Sequence, residues 1–281
     1  MMHSARFEQP ETVAEALRSL GPGTHRPLAG GTDLYPAFVG CGVDAPLLDL
    51  SRIKALRGIR REAQGWWFGA TTTWADVQRA ELPPLLHALQ QAAREIGGEQ
   101  IQNAATLGGN LCNASPAADG TPVWMALDAQ VVLQSAHAER RLPVADFVLG
   151  NRHTARAADE LLTGIFIPQR SAQARSVFAK LGSRRYLVIG IAMVALAIDI
   201  DSRGVVCAAG VSVGSCSAAA RRLAALEARL LGIPRASLAQ VEINAIDLAP
   251  LRPIDDVRAS AAYRLDATAT LLRRALQELA A

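Results

Sequence analysis

Two pairs of adjacent glycines constrain this chain more than any other feature of it. The first lies in Pro27-Leu28-Ala29-Gly30-Gly31-Thr32-Asp33-Leu34. The second lies in Ala105-Thr106-Leu107-Gly108-Gly109-Asn110-Leu111-Cys112-Asn113-Ala114-Ser115-Pro116-Ala117-Ala118-Asp119. Glycine accepts positive φ and has no Cβ, so successive N–H groups around it can converge on an anion. In the first segment an apolar strand runs into the glycines, and Thr32 or Asp33 is placed to cap the helical turn that follows. In the second, Asn110, Asn113, Ser115 and Asp119 add side-chain acceptors suited to sugar or polyol hydroxyls, in what reads as a long loop. On the residues alone each segment keeps a plain alternative: a strand–turn–helix corner for the first and a structural Ω-loop for the second.

Neither pair fits the commoner nucleotide or hydrolase fingerprints. The chain has no G-x-G-x-x-G, no G-x-x-x-x-G-K-[ST] and no H-E-x-x-H, and His3, His25, His87, His137 and His153 are scattered. Cys41, Cys112, Cys207 and Cys216 form no C-x-x-C pair, so reduced, mostly buried thiols are expected rather than a cluster held by this chain. With 281 residues, 50% hydrophobic and 20% charged, the composition is that of a globular protein. The net charge of +3 and the dispersed pairs Arg60-Arg61, Arg140-Arg141 and Arg221-Arg222 give no nucleic-acid stripe. Residues 1–7 carry no apolar signal core, and the apolar run 187–198 falls short of the ~18 residues a span requires. No membrane span and a cytoplasmic location are therefore expected.

Along the chain, Thr12 and Glu15 read as a capping box before a short helix that stops at Gly21. Strands are expected at 26–29, 47–50, 66–70, 131–134 and 161–167. Thr73 should cap a helix over 74–80, residues 84–96 should form one longer helix, and another helix opens near Asp119 with Pro122 in its first turn. Residues 168–175 are the best linker candidate. Beyond them, 191–200 and 205–213 flank Asp201-Ser202-Arg203-Gly204 as an antiparallel hairpin, and helices at 218–231 and 261–279 complete the pattern.

Both glycine segments, in this order, resemble the paired FAD signatures of the molybdenum hydroxylases, as do Gly69-Ala70-Thr71-Thr72, Phe178-Ala179-Lys180-Leu181-Gly182-Ser183-Arg184-Arg185 and Ser260-Ala261-Ala262-Tyr263-Arg264. Over essentially its full length the chain is similar to their separate medium subunit, found in xanthine and carbon monoxide dehydrogenases and in aldehyde or N-heterocycle hydroxylases. The four-cysteine insert of the related benzoyl-coenzyme A reductase flavin subunits has no counterpart here. The resemblance implies an α+β chain: a vanillyl-alcohol-oxidase/PCMH-type FAD-binding fold of two subdomains, 1–55 and 56–168, followed by an antiparallel sheet with a helical bundle at 176–281.

The resemblance also implies roles. Leu28, Ala29, Gly30, Gly31, Thr32, Asp33 and Leu34 would wrap the pyrophosphate and ribityl of FAD, with Thr106, Gly108, Gly109 and Asn110 opposite. Asp119 would accept from hydroxyls, and Ile96 and Leu161 would line the cofactor. Lys180 would approach the flavin ring, and Tyr186 is placed to cover it. In such a heterotrimer a large subunit holds molybdopterin and a small subunit holds two [2Fe–2S] clusters, with electrons leaving through FAD to NAD⁺ or another acceptor. A stand-alone flavin oxidase or reductase and a cofactor-free scaffold are the alternatives.

Overall fold

The computed structural model describes residues 7–21, 23–40, 43 and 45–281. Cys41, His3 and the segment 1–6 lie outside them. Three main sheets follow one another along the chain. Phe7–Glu8, Leu47–Asp49 and Arg26–Leu28 form a small parallel sheet with Leu47–Asp49 in the centre. Helix Val13–Leu20 packs on it through Ala16, Leu17 and Leu20. Its Thr12–Glu15 capping box forms in full, because both partners sit within one turn of each other.

The second sheet is antiparallel and five-stranded, in the order Ile59–Glu62, Gly65–Gly69, Leu161–Pro168, Gln130–Gln134 and Glu139–Pro143. Leu161–Pro168 occupies its middle and is buried on both faces up to Ile167. The third, also antiparallel, runs Arg175–Leu181, Ala192–Ile200, Val206–Gly214 and Arg221–Arg222. The expected Asp201 hairpin joins its central strands; the Asp201 carboxylate accepts from the N–H of Arg203 and of Val205, each at 2.9 Å.

One helix, Gly120–Ala126, lies between the second and third sheets with all seven residues buried. A helix hydrophobic all round belongs in the interior. The strand Ala192–Ile200 alternates accordingly. Met193, Ala195 and Ala197 join the core that contains Trp124, while Val194, Leu196 and Ile198 join the core under the C-terminal helix Ala261–Ala280. Small residues on the first face let the backbone approach closely: a Cβ on Gly210 of the neighbouring strand would stand 2.1 Å from the Ala126 carbonyl oxygen. At the end of the buried helix, Asp128 pairs with Arg170 and, at 2.5 Å, with Arg222, and Arg222 also donates to the Met125 carbonyl at 2.6 Å.

Several elements differ from the sequence expectation. The expected helix 84–96 is a 3-10 turn, Pro84–Leu86, followed by His87–Glu95, since Pro83-Pro84 restricts its first turn. Residues 218–223 do not start a helix, because Arg221–Arg222 is taken up by the third sheet and the helix is Ala224–Leu230. The connector 169–174 is anchored: the Arg170 guanidinium is buried on the Ala126 carbonyl and Asp128. Cys207 is exposed, Cys112 half-buried and Cys216 buried, so the thiols are less uniformly interior than their number suggested.

The largest difference concerns Gly108 and Gly109. They are not a loop but the first turn of helix Leu107–Asn113, whose N-cap Thr106 accepts from the Gly109 N–H at 3.1 Å. Two glycines in sequence weaken a helix by about 1 kcal/mol each relative to alanine. Here the cap and the tertiary bonds Leu107 N–H to Thr72 O, 2.9 Å, and Gly108 N–H to Ala70 O, 2.8 Å, override that preference.

Candidate cofactor cleft

A cleft of ≈ 560 Å³ opens between the small parallel sheet and the five-stranded sheet, within the range of sites that enclose a sizeable organic ligand. Leu28 through Leu34 form one wall. Thr106, Gly108, Gly109, Asn110 and Asn113, all on the capped helix or its N-cap, form another, and Ile96 and Leu161 complete the apolar lining. Fourteen positions spread over residues 28–161 thus meet around a single space.

The two walls are built differently. The strand Arg26–Leu28 delivers the chain to Gly30, where a Cβ would stand 1.9 Å from the Ala104 carbonyl oxygen, so only glycine lets the wall close against the next helix. Gly31 has φ +69°, the left-handed region that disfavours side chains. Among the described residues the backbone N–H groups of Gly30, Gly31, Thr32 and Asp33 have no acceptor. Four successive unpartnered amides on a cleft wall suit an anion. Asp33 stands at the N-cap position of the short helix Leu34–Ala37 without a capping bond, so its side chain is not spent on the backbone.

Opposite them, the amides of Gly108, Gly109 and Asn110 are satisfied by Ala70 O, Thr106 Oγ1 and Thr106 O. A Cβ on Gly108 would lie 2.9 Å from both Cβ and O of Ala70. This wall therefore contributes surface and closeness rather than free donors. Gly69-Ala70-Thr71-Thr72, noted in the sequence, acts here as the strip against which the capped helix is stitched.

Four expected site residues lie elsewhere. Ser115 accepts from the Ala117 N–H. Asp119 and Lys180 are not on the cleft lining but form a buried pair, Nζ to Oδ2 at 2.9 Å, with side chains 9% and 3% exposed, and Nζ also donates to the Glu95 carbonyl at 3.2 Å. The pair joins the start of the interior helix to strand Arg175–Leu181, and burial, opposed by the Lys180 charge, pushes the Asp119 carboxyl up to about 6. Lys180 thus engages Oδ2 of Asp119, while its buried Oδ1 has no partner. Tyr186 is about half-exposed, its hydroxyl accepting from Arg185 Nε at 2.9 Å.

The cleft also has residues the sequence reading missed: Arg26, Ala70, Thr71, Ile101, Cys112, Arg152, Thr154, Arg156 and Leu162. Burial pushes the Cys112 thiol up to about 11, so it is protonated at neutral pH. Among the described residues no group of His, Cys, Asp and Glu is arranged to hold a metal, and no helix is long and apolar enough to cross a membrane.

Residues 3–170 match the family model described as the FAD binding domain in molybdopterin dehydrogenase, and residues 178–279 match the CO dehydrogenase flavoprotein C-terminal domain. The chain belongs to the FAD-binding medium subunits of the molybdenum hydroxylase family. Among its relatives, the nicotinate dehydrogenase FAD-subunit of Eubacterium barkeri is 31% identical over 90% of each chain. The carbon monoxide dehydrogenase medium chain of Hydrogenophaga pseudoflava is 28% identical over 96% of each. A chain of the reconstituted CO dehydrogenase from Oligotropha carboxidovorans superposes with a TM-score of 0.90 at 26% identity, covering 100% of this chain and 99% of that one.

The cleft fits the family's cofactor on its own geometry. The glycine wall offers free amides to a diphosphate, and Ile96, Ile101, Leu161 and Leu162 supply apolar lining.

Proposed function

We propose that this chain is the electron-transfer subunit of a heterotrimeric molybdenum hydroxylase. In this reading it receives electrons from [2Fe–2S] clusters on a small partner subunit, with substrate oxidised at molybdopterin on a large one, and delivers them to NAD⁺ or another acceptor in the cytoplasm. The observation that carries the reading is the cleft itself, with four free amides on one wall in a chain whose two halves both match the family. Leu28 through Leu34 hold the diphosphate and polyol, Thr106 to Asn110 and Asn113 close the opposite side, and Ile96 and Leu161 shield the apolar part. When bound, FAD supplies the capacity to take electrons singly and to give them up in pairs.

The chain's own residues orient the cofactor and keep water from it. They bring no acid–base pair of their own: among the described lining residues the ionisable groups are arginines, Asp33 and a protonated Cys112. That composition favours a relay over a self-sufficient oxidase. The test is co-expression with the neighbouring large and small chains, followed by anaerobic addition of a substrate of the large subunit. Bleaching of the visible flavin band in the intact complex, absent when the small subunit is omitted, is the expected result. Full bleaching without the small subunit overturns the relay.

A further inference from the structure

The short hairpin of Val148–Gly150 and His153–Thr154 has no role in any sequence signature above. Arg152 at its tip has φ +56°, and its N–H donates at 3.0 Å to the carbonyl of Ala114, itself at φ +47°. Two non-glycine residues in the left-handed region, bonded to each other, are an uncommon and costly arrangement, and such strain collects at binding sites. Its effect is to lay the Arg152 side chain along the cleft, where it donates to Asn113 Oδ1. Arg156 follows on the same segment, anchored by bonds to the Ala157 and Glu160 carbonyls at 2.9 and 2.6 Å, and close enough to Cys112 for its charge to act on that thiol.

A guanidinium has five N–H donors in a planar fork. One side of each fork is spent on anchoring, and the remaining donors have no acceptor among the described residues. Glu160 lies off the cleft lining and is held by Arg140 through two bonds of 2.6 and 2.8 Å; it feels the Arg156 charge, but its carboxylate takes no hydrogen bond from that guanidinium. Arg26 enters the lining from the small sheet, its guanidinium over the Phe38 ring at 5.2 Å. Among the described lining residues, three guanidiniums against the one carboxylate of Asp33 leave a net +2. A dinucleotide diphosphate carries the matching two negative charges.

We propose that Arg152 and Arg156 form a cationic clamp for the diphosphate of the dinucleotide, and that this clamp makes the cleft select FAD over phosphate-free flavin. The proposal rests on the FAD reading above and adds to it the residues that read the cofactor's charge. Because a backbone bond to Ala114 holds the hairpin, replacing the Arg152 side chain leaves the arm in place.

The experiment uses the full chain stripped of flavin and titrated with FAD and with riboflavin by quenching of flavin fluorescence. Arg152→Gln and Arg156→Gln should each weaken FAD roughly tenfold, the scale of one lost charge-assisted hydrogen bond. Riboflavin affinity should stay within about twofold, and added salt should weaken FAD less in the variants than in the parent. Arg152→Lys should recover part of the loss. Equal weakening of FAD and riboflavin, or no weakening of FAD, overturns the clamp while leaving FAD binding intact. Failure of the parent chain to bind FAD overturns the cofactor reading itself and the clamp with it.

Discussion

Gly30-Gly31 and Gly108-Gly109 are the same two letters, line the same cleft, and do different physical work. At Gly30-Gly31 the backbone is irregular, one residue is left-handed, and four amides in a row have no acceptor among the described residues. At Gly108-Gly109 the backbone is helical, both amides are bonded, and the missing Cβ of Gly108 serves to seat a capped helix against Ala70. The first pair is a donor surface and the second a packing surface. A glycine pair therefore identifies a close approach, and only its local conformation tells whether the approach is to a ligand or to the protein itself.

Substitution by alanine separates the two roles. The largest effect is expected at Gly30, where the new Cβ would meet the backbone of Ala104 at 1.9 Å and no side chain can move aside. Gly30→Ala should cost about 3 kcal/mol and give a chain without flavin, read from melting temperature and the flavin-to-protein ratio. A normal ratio would show that the wall can retreat. Gly31→Ala comes next. Its φ of +69° costs an L-residue about 1–2 kcal/mol, and its Cβ meets the half-exposed Tyr35 ring at 2.5 Å. FAD affinity should fall roughly tenfold, and adding Tyr35→Ala should not restore it, because the backbone strain remains.

Gly108→Ala is expected to be milder. Crowding against Ala70 at 2.9 Å is offset by a gain in helix propensity, for a net loss of about 1 kcal/mol, with FAD affinity reduced less than in Gly31→Ala. Among the described residues, Gly109 has one close neighbour, Thr106 Oγ1 at 2.8 Å. There the propensity gain and the disturbed cap, each about 1 kcal/mol, should nearly cancel in the melting temperature. If Gly109→Ala empties the cleft as fully as Gly31→Ala, the helical wall is a donor surface after all and the distinction fails.

What was readable in the sequence follows the range of the forces involved. Thr12 with Glu15, Thr73 before its helix, and Asp201 in its hairpin were legible because donor and acceptor lie within four residues. The helix at Gly108-Gly109 was not, since its strongest supports, Thr72 and Ala70, lie some 35 positions upstream. Nor was the Asp119–Lys180 pair, whose members are 61 positions apart and meet as a buried ion pair. Arg152 and Arg156 sit in a stretch with no pattern of its own and reach the cleft only because the hairpin folds back onto Ala114.

Asp128 has a consequence for dynamics. Held by Arg170 on one side and Arg222 on the other, at the end of a helix whose backbone touches Gly210, it ties the five-stranded and four-stranded sheets together where a hinge between them would have to bend. Segments fixed in this way open together rather than in sequence. In native-state hydrogen exchange the amides of Leu161–Pro168 and Ala192–Ile200 should therefore share one opening free energy, and Asp128→Ala should split them into two classes with the four-stranded sheet exchanging first.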